Sequence, residues 1–271
     1  MQGAANDFVV VDGRELTDVD WASVAVRACN RRLGVGADGI LVLEPSQTED
    51  FRMRYHNADG SPSEMCGNGI RCMAKFALDI GATDQRRLTW ETGAGRIATE
   101  VLEYGDGPAR VRVDMGPPHF APAEIPVTLE GDDVRETPFA VNGSQLSLTC
   151  LSMGNPHAVT FVDSVEAFPL ESIGPEVEHH PSFPHRTNFE IAEVIDPGHL
   201  RMRVWERGVG ETQACGTGAC AVAVAAQLVR EADAEVEIQL PGGRLTVAWS
   251  PGRNVLMTGP AETSFTGEFA D

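Results

Sequence analysis

The feature that most constrains this chain is that it repeats itself once. Moved by 149 positions (215 − 66), two segments fall into register without a gap. Phe51-Arg52-Met53-Arg54-Tyr55-His56-Asn57 lies over Leu200-Arg201-Met202-Arg203-Val204-Trp205-Glu206, and Ser63-Glu64-Met65-Cys66-Gly67-Asn68-Gly69 lies over Thr212-Gln213-Ala214-Cys215-Gly216-Thr217-Gly218. The same offset sets Asn6 on Asn155 and Gly39 on Asn188; with one residue removed, Gly95-Arg96-Ile97 matches Gly243-Arg244-Leu245. A period this long, seen once, describes two related domains and not a solenoid of short units. At 271 residues, each half has enough chain to bury a core of its own.

Both halves read the same way. Phe51 to Tyr55 and Leu200 to Trp205 alternate apolar residues with arginine, the pattern of a half-exposed strand. A loop and a Cys-Gly-x-Gly turn follow, then helical stretches over Ile70–Leu78 and Ala219–Val229, the second apolar nearly all round and therefore buried. Short strands are expected at Ile97–Leu102, Ala109–Asp114, Ala158–Val162, Glu235–Leu240 and Leu245–Trp249. This is an α+β pattern without βαβ alternation. It predicts two pseudo-symmetric domains, each a strongly curved, mostly antiparallel sheet around a central helix. The proline-rich segment from Gly116 to Pro126 marks the boundary, giving an N-terminal domain over 1–115 and a C-terminal domain over 116–259. The tail over 260–271, with Thr263 to Phe269 as a returning strand, is expected to complete the first domain.

Charge narrows the partners. Asp and Glu number 40 against 21 Lys and Arg, for a formal charge of −19. Such a polyanion repels nucleic acid and anionic membrane. No apolar run reaches the length of a membrane span, and the start carries no secretory pattern, so a cytoplasmic location is expected. Six cysteines in such a chain do not suggest a disulfide framework. The spacings Cys66–Cys72 and Cys215–Cys220 lead into helices and not into zinc knuckles, so no metal is expected. Cys29, Cys72, Cys150 and Cys220 read as small buried hydrophobes.

Cys66 and Cys215 read differently. Each opens a helix, with glycines that let the backbone close tightly on a ligand. The amides there bear partial positive charge, hold anions and are expected to lower the cysteine pKa. Two such sites, related by duplication, suit inversion at a carbon bearing a proton. One thiolate removes the proton from one face, and the other sulfur, as thiol, returns one to the opposite face. An amino acid's α-carboxylate would sit on the amides of Gly67-Asn68 and Gly216-Thr217, which also favour the charge that develops as the α-proton leaves.

At these residues the chain resembles the diaminopimelate epimerase family along essentially its whole length. The resemblance rests on Asn6-Asp7-Phe8, Met65-Cys66-Gly67-Asn68-Gly69-Ile70-Arg71-Cys72, Met153-Gly154-Asn155-Pro156-His157, and Glu206-Arg207-Gly208-Val209-Gly210-Glu211-Thr212 running into Ala214-Cys215-Gly216-Thr217-Gly218-Ala219. It implies a homodimeric enzyme that uses neither pyridoxal phosphate nor metal, acts on a small amino acid, diaminopimelate, and employs Cys66 and Cys215 as its acid/base pair. By the same resemblance Asn57, Asn155, Asn188, Glu206 and Arg207, with Asn6 beside them, hold the distal amino and carboxyl groups. A carboxylate for the ammonium and a guanidinium for the carboxylate is chemically apt. A histidine such as His157 near the cysteines supports one of them, whereas His179, His180 and His185 read as surface residues.

The chain also departs from the family. Gly3-Ala4-Ala5 stands where Gly-x-Gly is usual before Asn6, so that turn is expected to be shaped differently. The short strand that usually precedes the residue matched by Met1 is absent, and Gly39 stands where some relatives carry an amide. Proline racemase-like enzymes have His where Asn68 stands, and phenazine-pathway isomerases lack the paired cysteines. A histidine racemase on the same framework, or a binding or redox-sensing protein without catalysis, remain the alternatives.

The acidic surface is also poor in lysine, Lys75 being the sole one among the 21 basic residues. Such a surface suits a salty interior, where screening removes self-repulsion. Melting temperature and activity are therefore expected to rise from dilute buffer to molar KCl; a protein equally stable and active in dilute buffer would discount the salt reading.

Overall fold

The duplicated sequence pattern yields duplicated strand registers. The computed structural model describes residues 1–129, 131 and 133–269. The chain divides into one unit of Met1–Asp114 with the segment from Thr258, and a second of Met115–Met257. Residues 270 and 271 of the returning tail lie outside the described residues.

The first unit runs β1 (Gln2–Gly3), β2 (Asn6–Asp12), α1 (Trp21–Ala28), β3 (Gly39–Glu44), β4 (Phe51–Asn57), β5 (Pro62–Ser63), α2 (Gly67–Asp79), β6 (Arg87–Thr92), β7 (Gly95–Glu103) and β8 (Ala109–Asp114). The second runs β9 (Thr137–Val141), β10 (Ser144–Ser152), β11 (Pro156–Phe161), α3 (Leu170–Glu178), β12 (Asn188–Asp196), β13 (His199–Glu206), β14 (Gly210–Thr212), α4 (Gly216–Val229), β15 (Glu235–Leu240) and β16 (Gly243–Ala248). A last strand, β17 (Leu256–Ala261), pairs with β8.

Phe8 faces Gly39 as His157 faces Asn188, and Ile40 faces His56 as Phe189 faces Trp205, each pairing moved by 149. Beyond the deleted residue, Arg87 faces Glu100 as Glu235 faces Ala248, moved by 148. Because a one-residue slip would turn every side chain to the other face, this agreement shows that both halves bury the same positions.

Most pairings are antiparallel, but β2–β3, β4–β6, β11–β12 and β13–β15 are parallel. The helices in the crossovers are why the sheets are mixed. Of these, α1 and α3 escape the sequence pattern: α1 is short, with Asp20 capping it by accepting from Ser23 N–H at 3.2 Å, and α3 contains Pro175 and reads as loop. Tertiary packing holds them. Trp21 and Ala25 of α1 cluster with Ile40 and Val42 of β3, and Leu170, Ile173 and Val177 of α3 with Phe189 and Ile191 of β12.

Helix α2 packs against β1, β2, β3, β7 and β8, and α4 against β10 to β13, β15 and β16. Strands β3 and β12 are thus covered on both faces, which makes them nearly continuous buried runs. Their alternate residues, Leu41 and Glu190, point to the first turns of α2 and α4: a Cβ on Gly69 would meet Leu41 at 3.2 Å, and one on Gly218 would meet Glu190 Oε1 at 2.9 Å. Helix α4 is apolar all round, as its sequence predicts, whereas α2 also buries Arg71, whose guanidinium donates to the carbonyls of Gly67 and Pro260 and to Asn68 Oδ1.

The strand that returns to the first unit is Leu256–Ala261 and not Thr263–Phe269; the tail beyond Glu262, which bridges Gln2, is irregular. The turn before Asn6 is a two-residue hairpin loop with φ of 55° at Ala4 and 62° at Ala5, the conformation of a turn that favours glycine. Gly154, which the repeat places on Ala5, has φ of 92°. Alanine in this conformation costs about 1 kcal/mol, so Ala5→Gly is expected to raise the melting temperature by a few degrees while leaving the register of Asn6 intact. A lowered melting temperature would contradict the strain.

Candidate active site

Each cysteine sits at the N-cap of its unit's buried helix, in extended conformation, φ −139° at Cys66 and −122° at Cys215. The sulfur takes the place of a capping oxygen. Cys66 Sγ accepts from Gly69 N–H at 3.5 Å and Cys215 Sγ from Gly218 N–H at 3.3 Å. By helix geometry the amides of Gly67 and Asn68, and of Gly216 and Thr217, have no intrahelical acceptor, and their positive ends suit an anion.

The surroundings of the two sulfurs differ. In the first unit, Cys66 is half-buried and its thiol donates to Asn6 Oδ1 at 3.5 Å, which also accepts from Asn68 Nδ2 at 3.2 Å. Asn6 Nδ2 donates to Asp38 Oδ2 at 2.6 Å, and Arg31 binds both Asp7 and Asp38, so the Asn6 amide is held one way round. Asn57 stands opposite Gly39 and donates to Ser61. At Gly39 itself there is no room for an amide side chain, because a Cβ would lie 2.5 Å from the Tyr55 ring and 2.6 Å from the His56 carbonyl oxygen.

In the second unit, Cys215 is buried and lies 3.5 Å from Thr217 Oγ1. Asn155 Nδ2 donates to Thr217 Oγ1 at 3.3 Å, and Asn155 Oδ1 meets His157 Nε2 at 3.0 Å. His157 Nδ1 is 2.7 Å from Glu190 Oε1, both side chains fully buried. Asn188 is spent on the backbone: its Nδ2 donates to the Pro156 carbonyl and its Oδ1 accepts from Arg207 N–H. Glu206 accepts from the Thr212 hydroxyl, and Arg207 is exposed, its Nη1 donating to the His185 carbonyl at 3.3 Å. Of the remaining histidines, His180 is half-buried with its ring edge-on to Phe139, a departure from the surface reading; His179 and His185 are exposed.

The expected lowering of the cysteine pKa does not hold at Cys215. Burial raises this thiol well above its ordinary value, with the charges of Glu206 and Glu190 adding to it; Thr217 and the Gly218 amide oppose the rise without cancelling it. The helix terminus is outweighed by lost solvation and two carboxylates. Glu206 is itself raised, first by burial and next by Glu190. Burial also raises Cys29 to about 11 and Cys72 to about 12, and Cys150 still further, which fits their structural roles. Among the described residues no group of three or more His, Cys, Asp or Glu is placed to hold a metal ion, and no helix is long and apolar enough to cross a membrane.

Two carboxylates escaped the sequence reading. Glu190 interrupts the buried run Phe189-Glu190-Ile191-Ala192, and a charge in such a run was the available signal. Glu178, at the end of α3, gave no signal: its burial comes from tertiary packing. It accepts from Trp205 Nε1 at 2.7 Å and from Gly208 N–H at 2.8 Å, and so fixes the turn that carries Glu206 and Arg207.

The sequence pattern of the diaminopimelate epimerase family matches residues 1–121 and 149–264. The chain belongs to the diaminopimelate epimerase family. It is 48% identical over 271 residues to the diaminopimelate epimerase of Moorella thermoacetica (99% of this chain, 97% of that one) and 50% identical over 274 residues to that of a Cyanothece species (98% and 96%). The fold is similar to that of a Bacillus anthracis phenazine biosynthesis protein of the PhzF family, with TM-score 0.67, 18% identity and coverage of 96% and 93%. It is also similar to a hydroxyproline epimerase from Agrobacterium vitis, with TM-score 0.63, 14% identity and coverage of 92% and 80%. The chain thus has the α+β fold expected from its sequence.

Glu178→Ala is expected to remove the acceptor of the Trp205 indole and of the Gly208 amide and to destabilise the protein by about 1 kcal/mol. In an epimerase assay it should raise KM more than it lowers kcat, because the Arg207 turn loosens. Native KM and native melting temperature together would dismiss the role of Glu178.

Proposed function

We propose that this chain is a cofactor-independent isomerase that interconverts LL- and meso-diaminopimelate by two-base proton transfer at one α-carbon. The observation that carries the reading is the pair of cysteines that cap equivalent helices of a duplicated fold, in a chain nearly half identical to proteins named diaminopimelate epimerase over almost their full length.

The reaction balances on two sulfurs. The thiolate of one takes the α-proton and becomes a thiol; the thiol of the other gives its proton to the opposite face and becomes the thiolate. The electron pair released is held for the interval on the substrate's α-carboxylate, and the first-turn amides of Gly67, Asn68, Gly216 and Thr217 are the donors that stabilise it. Cys66 and Cys215 are the acid/base pair. Burial first, and then the charges of Glu206 and Glu190, disfavour the anion at Cys215 in the free protein.

Asn6, Asn57, Asn155, Asn188, Glu206 and Arg207 bind the distal amino-acid end, and His157 supports Cys215. Arg207 supplies a cation for the distal carboxylate, and Glu206 a carboxylate for the distal ammonium. A substrate without that second end leaves Glu206 and Arg207 without their counter-ions, which is how such a site selects. The occupied amide of Asn188 assigns it a particular share of the work: it ties Pro156 to the Arg207 amide and holds the binding turn in place. We assign the protein to lysine biosynthesis as a cytoplasmic homodimer, with no nucleic-acid or membrane partner, in line with its family and its charge.

The direct test is purified protein with LL-diaminopimelate in deuterated water and no added cofactor. Formation of the meso isomer with α-deuterium is expected; binding without exchange would leave a binding protein, and exchange of histidine alone would make it a histidine racemase. Cys66→Ala and Cys215→Ala should each lower kcat by roughly three orders of magnitude, because the two sulfurs act as one unit. Near-native turnover in either variant would reject the two-base scheme.

A further inference from the structure

Glu190 is an anomaly in its strand. Its neighbours Phe189 and Ile191 face α3 in the apolar core, yet Glu190 faces the first turn of α4 and is fully buried. A buried carboxylate is costly unless it is paired. One oxygen, Oε1, meets His157 Nδ1 at 2.7 Å, while Oε2 is buried with no hydrogen-bond partner. The groups that face it are Cys150 on β10, His157 on β11, Glu206 at the end of β13 and Cys215 at the cap of α4. In the first unit the repeat places Leu41 and Phe8 at the positions of Glu190 and His157 (190 − 149 and 157 − 149), and both are buried and apolar. The fold does not need a charged pair there.

The hydrogen bonds fix a direction. Asn155 Nδ2 donates to Thr217 Oγ1, so its Oδ1 is the end turned to His157. An amide oxygen only accepts, so His157 Nε2 bears a hydrogen. Nδ1 then shares the remaining proton with Glu190, as imidazolium with carboxylate or as imidazole with carboxylic acid. Thr217 accepts from Asn155 and keeps a hydroxyl hydrogen that it can give to a thiolate at Cys215 Sγ, 3.5 Å away. Each donor in the chain His157, Asn155, Thr217 is thereby aimed toward the sulfur, and with the Gly218 amide two donors converge on it. At Cys66 the sense is opposite: Asn6 turns its oxygen to the sulfur and accepts from the thiol.

We propose that Glu190 is a positioning residue for Cys215: by holding His157 Nδ1 it orients the Asn155 amide and the Thr217 hydroxyl as donors directed toward this sulfur, so that they are in place when its thiolate forms. The proposal rests on the reading of Cys215 as one of the two acid/base groups. It gives the two cysteines unlike hydrogen-bond environments from a duplicated framework. The donors at Cys215 oppose part of the burial effect that holds its proton.

The test compares Glu190→Leu, which copies the first unit, and Glu190→Gln with the unaltered protein. Long-range proton–nitrogen NMR on histidine-labelled protein reads the His157 ring, identified by its loss in His157→Asn. The native ring is expected to show a hydrogen on Nε2. Glu190→Leu should lose this fixed state and lower kcat about tenfold or more with KM little changed, the size typical of removing a histidine's orienting partner. Glu190→Gln, whose amide donates to Nδ1, should restore the Nε2 hydrogen and recover most of kcat. An unchanged His157 signature or an unchanged kcat in folded Glu190→Leu overturns the proposal, as does equal damage in both variants. Should Glu190→Leu not fold, Glu190→Gln decides alone: retention of both the Nε2 hydrogen and most of kcat supports the proposal, and loss of either overturns it. If the unaltered protein fails to epimerise diaminopimelate, the functional reading falls, while the NMR comparison still decides the arrangement at Glu190.

Discussion

A sulfur atom caps a buried helix in each half of this chain, and the other features of the site follow from that placement. A cap must be small and polar, and it must sit where the first-turn amides point. Cysteine is a weak cap but a reactive one, since a sulfur that accepts the Gly69 or Gly218 amide belongs to a side chain able to gain or lose a proton. The glycines are required because the strand beneath, β3 or β12, comes so close that a Cβ on Gly69 or Gly218 would touch Leu41 or Glu190. Burial of α2 and α4 fixes the caps in position, and burial in turn makes every charge near them consequential.

Duplication supplies the framework and divergence supplies the chemistry. The registers of the two units agree residue for residue, yet Asn6 turns its amide oxygen to Cys66 whereas Asn155 turns its amide nitrogen to Thr217, the neighbour of Cys215. The cause is local. Asn6 is held by Asp38, itself fixed by Arg31, whereas Asn155 is held by His157 on Glu190. The exposed network at the first site is open to solvent screening; the second is sealed, so burial first, and then neighbouring carboxylates, raise both Glu206 and Cys215. An enzyme that must remove a proton from one face and return one to the other has use for two unlike sulfurs.

The placement of both cysteines at helix starts was legible in the sequence because repeats and glycine-bounded caps are local signals. Cys66, Cys215 and the residues after them lie at their helix starts as the pattern indicates, and the strands Glu235–Leu240 and Ala109–Asp114 have the bounds that alternation gives. The pKa direction at Cys215 was not legible, because it depends on Glu190 and Glu206, which come from other strands and are brought to the sulfur only by folding. Glu178 and the helices α1 and α3 were hidden for the same reason: short segments with weak or proline-broken periodicity take their structure from what they pack against.

By itself the sequence determined that two like halves exist, that each buries a helix behind a Cys-Gly-x-Gly turn, and which family the chain resembles, since these are properties of residue type and spacing. Tertiary structure alone decided which side chains surround each sulfur, which way each amide faces, and how far burial opposes ionisation. Those depend on distances between strands far apart in the chain, and electrostatic effects in a dry interior change steeply over a few ångströms.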